Sequence, residues 1–402
     1  MAPLATTVLR LFNKQQSSNS LTINVVLDAP TTGQSATTQV NGKAIITALS
    51  DTRFDDIQIK FVGNAATTVA RTIAVPGGQS QGKHCFLIMD QRNLRPMFPS
   101  SNQLRTSESL TLPFNFTLPS CLPSRSCTHE VEGPAVREGH LLLPPSLNDG
   151  HASRTATAAS DDLAPSTARI CYRLKIAVLE KDAEDPLWFA PLAEISMPIH
   201  VSPVTQQSLP LYTSVAERAE ISRTTKELKK SSYCHAVGSL TAYLLQPPGL
   251  SLDTGYGEEG NAMAADVFLH FNPAFPESPP PRLKQVTSAL KATTYFSSKG
   301  MADFPNDIAC LSDISQHRYS AKVQKFAFTC NVSGWKEHGN GGDVNYSTKV
   351  TVPVVLPSNK HMLPSFCSCL ISRQYTLQVR LYQSSVQRTP LVEVEMPIQI
   401  YR

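Results

Sequence analysis

Apolar residues alternate with polar residues along much of this chain, with a repeat of two. In Leu110–Leu118 and Ile170–Val178 every second side chain is apolar, and the same pattern recurs in Val350–Leu356, Tyr375–Leu381 and Val392–Ile400. Successive side chains of a β-strand point to opposite faces, so this pattern predicts strands that bury one face and expose the other. The sequence therefore predicts an all-β protein.

Other apolar segments predict additional strands, and helical patterning is scarce. The N-terminal run Val8–Phe12 predicts a first strand, because the basic-then-apolar layout of a signal peptide is missing. No apolar run approaches the ~20 residues that a membrane-spanning helix needs. The best helical pattern is Val215–Lys230. Further strands are predicted at 21–27, 42–48, 56–62, 85–89, 191–201, 237–246, 265–271, 284–296 and 323–332.

Size, charge and cysteine content narrow the class of protein. The chain has 402 residues, 41% of them hydrophobic, which suits two domains rather than one. The net charge of +4 is too small to indicate nucleic-acid binding. The nine cysteines are an odd number, and without a signal peptide they predict a reduced, cytoplasmic protein.

The chain repeats one pattern. Leu118–Leu122 has a counterpart in Leu363–Leu370, and Tyr172–Leu179 resembles Tyr375–Tyr382. The strands that follow, LAEISMPI and LVEVEMPI, agree at five of eight positions. Tyr172 follows Pro119 by 53 residues, whereas Tyr375 follows Pro364 by 11. We therefore expect two copies of one sandwich, the first with a long inserted loop.

This repeat predicts the domain boundaries. The first domain covers residues 1–201 and includes the inserted loop around 123–168, whose Ser/Ala/Thr-rich part cannot fill a core. A polar linker follows at 202–232, and the second domain covers 233–402.

Several short segments carry a resemblance to a known family. In the second half it is found in Leu363–Arg373. In the first half the segments are Asn41–Thr47, Asp56–Gly63, Leu112–Pro119 (of the form PFxFxLP), Cys127–Leu147 and Arg169–Lys175. They resemble the arrestin family, and more narrowly the α-arrestin-like proteins of filamentous fungi.

The resemblance implies both a fold and a function. It implies two tandem immunoglobulin-like β-sandwich domains, joined by a short hinge. It also implies a non-enzymatic cytoplasmic adaptor that binds the cytoplasmic parts of membrane proteins at the plasma membrane or endosomes. Such adaptors recruit a HECT-type ubiquitin ligase through Pro-Pro-x-Tyr or Leu-Pro-x-Tyr motifs, for endocytosis and protein transport. Family members commonly carry these motifs in a tail beyond the second domain. The chain has no Pro-Pro-x-Tyr, so a scaffold that signals without recruiting a ligase is the alternative.

One segment of the predicted linker fits a ligase-docking motif. Leu209, Pro210, Leu211 and Tyr212 match Leu-Pro-x-Tyr. Extended proline-containing segments bind WW domains because their backbone is already close to the bound conformation. The alternative is that these apolar side chains pack the linker onto a sandwich.

A basic cluster follows in the same linker. Lys226, Lys229 and Lys230 are candidate ubiquitination sites or contacts to anionic lipids. Glutamates interleave with these lysines, so a solvated linker or a short helix is the alternative.

Metal and cofactor sites find little support in the sequence. Cys121, Cys127, His129 and His140 have metal-binding side chains, but their spacing matches no compact zinc motif. We expect Cys367 and Cys369 to lie on one strand face, a poor geometry for chelation or a disulfide. A stretch at 255–260 fits the dinucleotide fingerprint by letter only, because a strand is predicted after it. We therefore expect no metal and no cofactor.

The sequence lacks the common catalytic motifs. The chain carries no Gly-x-Ser-x-Gly elbow, no His-Glu-x-x-His and no phosphate-binding loop. An enzyme built on a β-sandwich is therefore the less favoured alternative to an adaptor.

Overall fold

The fold is known from a computed structural model. It describes residues 13–17, 20–28, 38–70, 78–149, 162–182, 185, 188–204, 222–229, 236–247, 249–252, 262–332, 334–340, 343–357, 360, 362–384 and 389–402. The predicted strand Val8–Phe12, the docking motif Leu209–Tyr212, Lys230 and the stretch 255–260 lie outside these residues.

The described residues are predominantly β-strand, which confirms the all-β prediction. The first half contains β1 (Asn13–Ser17), β2 (Leu21–Leu27), β3 (Gln39–Ala48), β4 (Thr52–Arg53), β5 (Asp56–Ala70), β6 (Gln79–Asp90), β7 (Gln103–Leu104), β8 (Ser109–Thr117), α1 (Pro134–Leu141), β9 (Ala168–Lys181) and β10 (Phe189–Ile199). The second half contains β11 (Arg223–Lys229), β12 (Ala236–Leu244), β13 (Leu250–Ser251), β14 (Ala262–Pro273), β15 (Leu283–Ser297), α2 (Asp307–Ser312), β16 (Gln316–Val332), β17 (Lys336–Asn340), β18 (Asp343–Val355), β19 (Phe366–Cys367), β20 (Ile371–Tyr382), β21 (Val392–Ile398) and β22 (Ile400–Tyr401).

The longer strands form four antiparallel sheets, two in each half. In the first half the strand orders are β1-β2-β3-β8 and β10-β9-β5-β6. In the second half they are β11-β12-β14-β18-β17 and β16-β15-β20-β19, with β21 beside β20. Strand β11 lies in the segment that we expected to be a linker or short helix. It pairs with β12 as an edge strand instead.

Each half has its own hydrophobic core between its two sheets. In the first core, Tyr172 stacks on Phe61 with ring centroids 5.8 Å apart and meets the Phe86 ring edge-on at 5.5 Å. The second core takes inward residues of β12, β14, β15, β18, β20 and β21. The polar residues of the alternating pattern face solvent, as the sandwich-like arrangement of sheets requires.

The two halves contact each other through buried groups. Phe296, Phe366 and Ile371 of the second half belong to the first core. Thr67 of β5 donates its hydroxyl to the carbonyl of Ser297 over 2.7 Å. Arg373 is fully buried at this junction and donates to the carbonyl of Asp162 at 3.0 Å. The junction is therefore a packed interface.

The sequence repeat is also a structural repeat. Tyr172 lies opposite Ile199 in the β9–β10 pair, and Tyr375 lies opposite Ile398 in the β20–β21 pair. Tyr172 donates its hydroxyl to the carbonyl of Pro144, as Tyr375 does to Leu363. The same strands thus carry the same contacts in both halves.

The structure changes one part of the predicted alignment. Ser146 exchanges hydrogen bonds with Val201, and Ser365 exchanges the same bonds with Ile400. The structural counterpart of Leu363-Pro-Ser365 is therefore the segment that ends at Ser146. The match to Leu118–Leu122 was wrong, because similar letters occur there without these contacts.

Candidate functional site

The loop between β8 and β9 is closed at its base by backbone pairing. Leu122 donates its N–H to the carbonyl of Leu141 at 2.6 Å, and Cys121 and Leu142 form an isolated bridge. Helix α1 begins after Gly133, which is extended, and its first residue Pro134 has its backbone φ already fixed for a helix. We call residues 121–142 the insertion loop.

Three side chains of the insertion loop point to one place. Cys127 follows a short 3₁₀ turn, His129 comes two residues later, and His140 lies in the last turn of α1. The thiol sulfur of Cys127 lies 3.9 Å from Nδ1 of His129 and 3.7 Å from Nδ1 of His140. The two imidazole centroids are 5.2 Å apart.

A fourth side chain reaches this place from the second half of the chain. Cys369 lies in the tight turn between β19 and β20, where Ser368 donates its N–H to the carbonyl of Ile371 at 2.9 Å. The Cys369 thiol contacts the carbonyl of Ser126 at 3.9 Å. The donor atoms of Cys127, His129, His140 and Cys369 all lie within 4.8 Å of one another. We call these four residues the Cys2His2 cluster.

Burial disfavours the charged forms of two members of this cluster, His140 and Cys369. Burial lowers the pKa of His140 to about 4, with smaller contributions from His129, His84 and Arg137. Burial likewise raises the pKa of the Cys369 thiol, and the neighbouring Cys127 adds to that effect. At neutral pH burial therefore favours the neutral imidazole of His140 and the protonated thiol of Cys369.

The structure only partly matches the residues singled out from sequence. Three of the four metal-capable residues converge, but Cys121 is exposed and lies outside the cluster. The expectation that Cys367 and Cys369 share a strand face was wrong, because only Cys367 lies in β19. The spacing argument considered only neighbours in sequence, whereas the fourth member of the cluster, Cys369, comes from the other half of the chain.

A second feature is an exposed apolar surface formed by α2 and Ile314, which lies two residues beyond the end of the helix. Ile308, Leu311 and Ile314 are 76%, 85% and 70% exposed. Residues three apart on a helix share a face, so Ile308 and Leu311 point the same way. Single exposed apolar residues are common, but three so close together are typical of interaction sites.

Polar contacts hold this short helix in place. Asn306 caps it by accepting a hydrogen bond from the N–H of Ala309 at 2.8 Å. Asp307 accepts a hydrogen bond from the Tyr295 hydroxyl at 2.9 Å and forms an ion pair with Arg318. The apolar side chains are therefore presented from a fixed position. We call Ile308, Leu311 and Ile314 the α2 surface.

Strand β16 continues directly from the α2 surface and is basic. Its sequence contains Arg318, Lys322 and Lys325 but no aspartate or glutamate. A bulge opposite Leu290 shifts the register, so Lys322 and Lys325 lie opposite Lys291 and Ala289. Positions 289 and 291 share one face of β15, and therefore Lys322 and Lys325 also share that face.

β16 is also an edge strand. In the described part of the chain it pairs only with β15. The carbonyl of Lys322 accepts a hydrogen bond from the ammonium group of Lys360 at 2.9 Å, which adds another positive charge to this edge.

The lysines predicted as candidate sites lie on another edge. Lys226 and Lys229 are exposed on β11. The Lys226 ammonium donates to the carbonyl of Pro390 at 3.2 Å. Lys230 and the Leu209–Tyr212 motif fall outside the described residues, so these predictions remain predictions.

Comparison with protein-family models and with curated proteins gave no match for this chain. Among the described residues, no helix is both long and apolar enough to cross a membrane.

Proposed function

We propose that this protein is an arrestin-like adaptor that binds the cytoplasmic parts of membrane proteins. The observation that carries the proposal is the α2 surface, because it presents large apolar side chains to solvent from a helix held by polar contacts. Exposure of such side chains to water is unfavourable for the protein alone, whereas a binding partner would bury them.

The duplication supports the arrestin-like class. The contacts shared by Tyr172 and Tyr375, and by Ser146 and Ser365, are those expected of two copies of one sandwich. Two tandem immunoglobulin-like domains of this kind are the arrangement that the sequence resemblance implies. A fold alone does not define a function, so the partner must be inferred from the surface.

The charge of β16 points to the chemistry of the partner. A strand edge with Lys322 and Lys325 beside it suits an extended acidic segment. Such a segment can add to the sheet by backbone hydrogen bonds while its acidic side chains pair with the lysines. Lysines on an edge also oppose pairing with a second, equally basic copy. We propose that an acidic cytoplasmic tail runs along β16 and covers the α2 surface.

This proposal is tested with labelled peptides from acidic cytoplasmic tails of plasma-membrane proteins, measured by fluorescence anisotropy. The variants are Ile308→Asp with Leu311→Asp, and Lys322→Glu with Lys325→Glu. Each pair is expected to weaken binding at least tenfold. Ile88→Asp, at an exposed isoleucine elsewhere on the protein, is the control and keeps full affinity. Peptides that bind all variants equally would overturn the proposed surface.

Ligase recruitment is the second part of the proposal. The Leu209–Tyr212 motif would bind a WW domain of a HECT-type ubiquitin ligase, which ties the adaptor to endocytosis and protein transport. Isolated WW domains should capture the wild-type chain and lose the Tyr212→Ala variant. Tyr319→Ala, at an exposed tyrosine outside the motif, is the control. Equal capture of Tyr212→Ala would leave the scaffold without ligase recruitment as the function.

A further inference from the structure

The donor atoms of the Cys2His2 cluster are arranged close to a tetrahedral metal site. Zinc binds thiolate sulfur at about 2.3 Å and imidazole nitrogen at about 2.0–2.1 Å, so its ligands lie about 3.3–3.8 Å from one another. The Cys127 sulfur is 3.7 and 3.9 Å from the nearest nitrogens of His140 and His129. The donor atoms lie up to 4.8 Å apart, which exceeds this range by about 1 Å. Small rotations about the side-chain torsions can bring the donor atoms together by this distance.

The surroundings already orient the donors as a metal site requires. His129 places Nε2 at 3.1 Å from the carbonyl of Met301, which leaves its Nδ1 directed at the cluster. A ligating histidine usually donates its other ring N–H to such a carbonyl. The N–H of Met301 in turn donates to the carbonyl of Cys369 at 2.9 Å. One short segment thus positions ligands from both halves.

His140 is a buried imidazole whose Nδ1 faces the Cys127 sulfur. Its side chain is 1% exposed, and its Nε2 has no hydrogen-bond partner among the described residues. Buried polar atoms are nearly always paired, because leaving one unpaired costs free energy. An apolar side chain at this position would avoid that cost, so the imidazole is explained if it serves as a ligand.

The charge balance also favours Zn²⁺. Two neutral imidazoles and two thiols bind Zn²⁺ with the release of two protons, one from each thiol, which leaves a complex with no net charge. A neutral complex can be buried without a counter-ion. Tetrahedral S2N2 donor sets are typical of zinc, and closed four-ligand sites are structural rather than catalytic.

We propose that Cys127, His129, His140 and Cys369 bind a structural zinc ion that links the insertion loop to the β19–β20 turn. The link joins the two halves of the chain at a point where Glu132 and Ala302 also share a backbone hydrogen bond of 2.8 Å. Residue 302 lies in the segment that leads to α2, so the zinc fixes the base of the segment that carries the α2 surface. This proposal stands independently of the adaptor function.

The test is the metal content of the full chain. The protein is purified without chelator, and its zinc is measured by inductively coupled plasma mass spectrometry. The wild type is expected to hold one zinc ion per chain, and X-ray absorption should show two sulfur ligands at about 2.3 Å and two nitrogens at about 2.0–2.1 Å. Cys369→Ser and His129→Ala should lose the zinc. Cys121→Ser, at an exposed cysteine of the same loop, should keep it.

A further variant separates metal binding from packing. His129→Cys offers zinc another acceptable ligand and should retain the ion, whereas His129→Ala removes the ligand. Circular dichroism of each variant establishes that it is folded. The proposal is overturned if the folded wild type holds no zinc, or if Cys369→Ser retains as much zinc as Cys121→Ser. A disulfide between Cys127 and Cys369, seen as two missing thiols, would overturn it as well.

Discussion

The imidazole of His129 lies directly against the backbone of Gly300. A Cβ atom at residue 300 would meet Cγ of His129 at 2.3 Å and Nδ1 at 2.7 Å. Both distances are shorter than van der Waals contact. The ring cannot move away freely, because its Nε2 interacts with the carbonyl of Met301. Glycine at residue 300 is therefore required for the orientation of a proposed zinc ligand.

Gly300→Ala is accordingly expected to displace His129 and weaken zinc binding at least tenfold, as measured by competition with a chromogenic chelator. Overpacking of this kind also lowers the free energy of unfolding by about 1–3 kcal/mol. Gly334→Ala is the matched control, because a Cβ there meets nothing within 4 Å. Unchanged zinc affinity in Gly300→Ala would contradict the proposed ligand role of His129.

Ser146→Ala and Ser365→Ala should each destabilise the protein. The hydroxyl oxygen of Ser146 accepts a hydrogen bond from the N–H of Val201 at 2.9 Å, and that of Ser365 accepts one from Ile400 at 3.0 Å. Each replacement leaves a buried N–H unpaired, which costs about 1–3 kcal/mol. Urea unfolding measures this loss.

Ser120→Ala is the control for the serine pair. The sequence match to Leu363–Leu370 placed Ser120 where the structure places Ser146, but Ser120 is exposed. Its replacement should change the stability by less than about 0.5 kcal/mol. An equal loss in Ser120→Ala and Ser146→Ala would restore the alignment that the structure contradicts.

Much of the strand arrangement could be predicted from sequence. In a strand that exposes one face to solvent, apolar and polar residues alternate along the sequence. Strands in segments such as Leu110–Leu118 and Val392–Ile400 were therefore predicted correctly. The edge strand β11 was missed because its side chains are mostly exposed, as the sequence RTTKELK shows. A strand with little buried surface leaves no hydrophobic pattern to detect.

The Cys2His2 cluster could be predicted only in part. Cys127, His129 and His140 lie near one another in sequence, so their residue types alone indicated metal-binding side chains. Cys369 joins them through the packing of the two halves, and no spacing rule contains that contact. The α2 surface could not be predicted, because Ile308, Leu311 and Ile314 are residue types that usually lie in a hydrophobic core. In the structure all three are exposed.

Acid should affect the turn that joins β7 and β8. The carboxylate of Asp51 accepts hydrogen bonds from the N–H and the hydroxyl of Thr106, and these bonds lower the pKa of Asp51 from its usual value. A lowered folded-state pKa gives stability that is present above the unfolded pKa and lost as pH falls through the folded one. Thr106→Val removes one bond and should raise the pKa of Asp51 in an NMR titration. An unchanged titration midpoint would show that the hydroxyl contributes nothing.

If the chain recruits a ubiquitin ligase, Lys229 should be modified more readily than Lys226. Both side chains are exposed, but the Lys226 ammonium donates a hydrogen bond to the carbonyl of Pro390. A free amine is the better nucleophile toward a ubiquitin thioester. Mass spectrometry after reaction with a WW-containing HECT ligase measures the two sites, with Lys229→Arg and Lys226→Arg as paired variants. Equal modification would show that the Pro390 contact does not protect Lys226.

Tyr172→Phe and Tyr375→Phe test whether the two halves unfold as separate domains. Each change removes one buried hydroxyl hydrogen bond, to Pro144 or to Leu363, and should cost about 1 kcal/mol. The two tyrosines belong to different cores, so their effects should add in the double variant. Tyr319→Phe, at an exposed position, is the control. With separate domains, each variant shifts a different unfolding transition. A single transition that both variants shift equally would mean that the buried junction makes the two halves one cooperative unit.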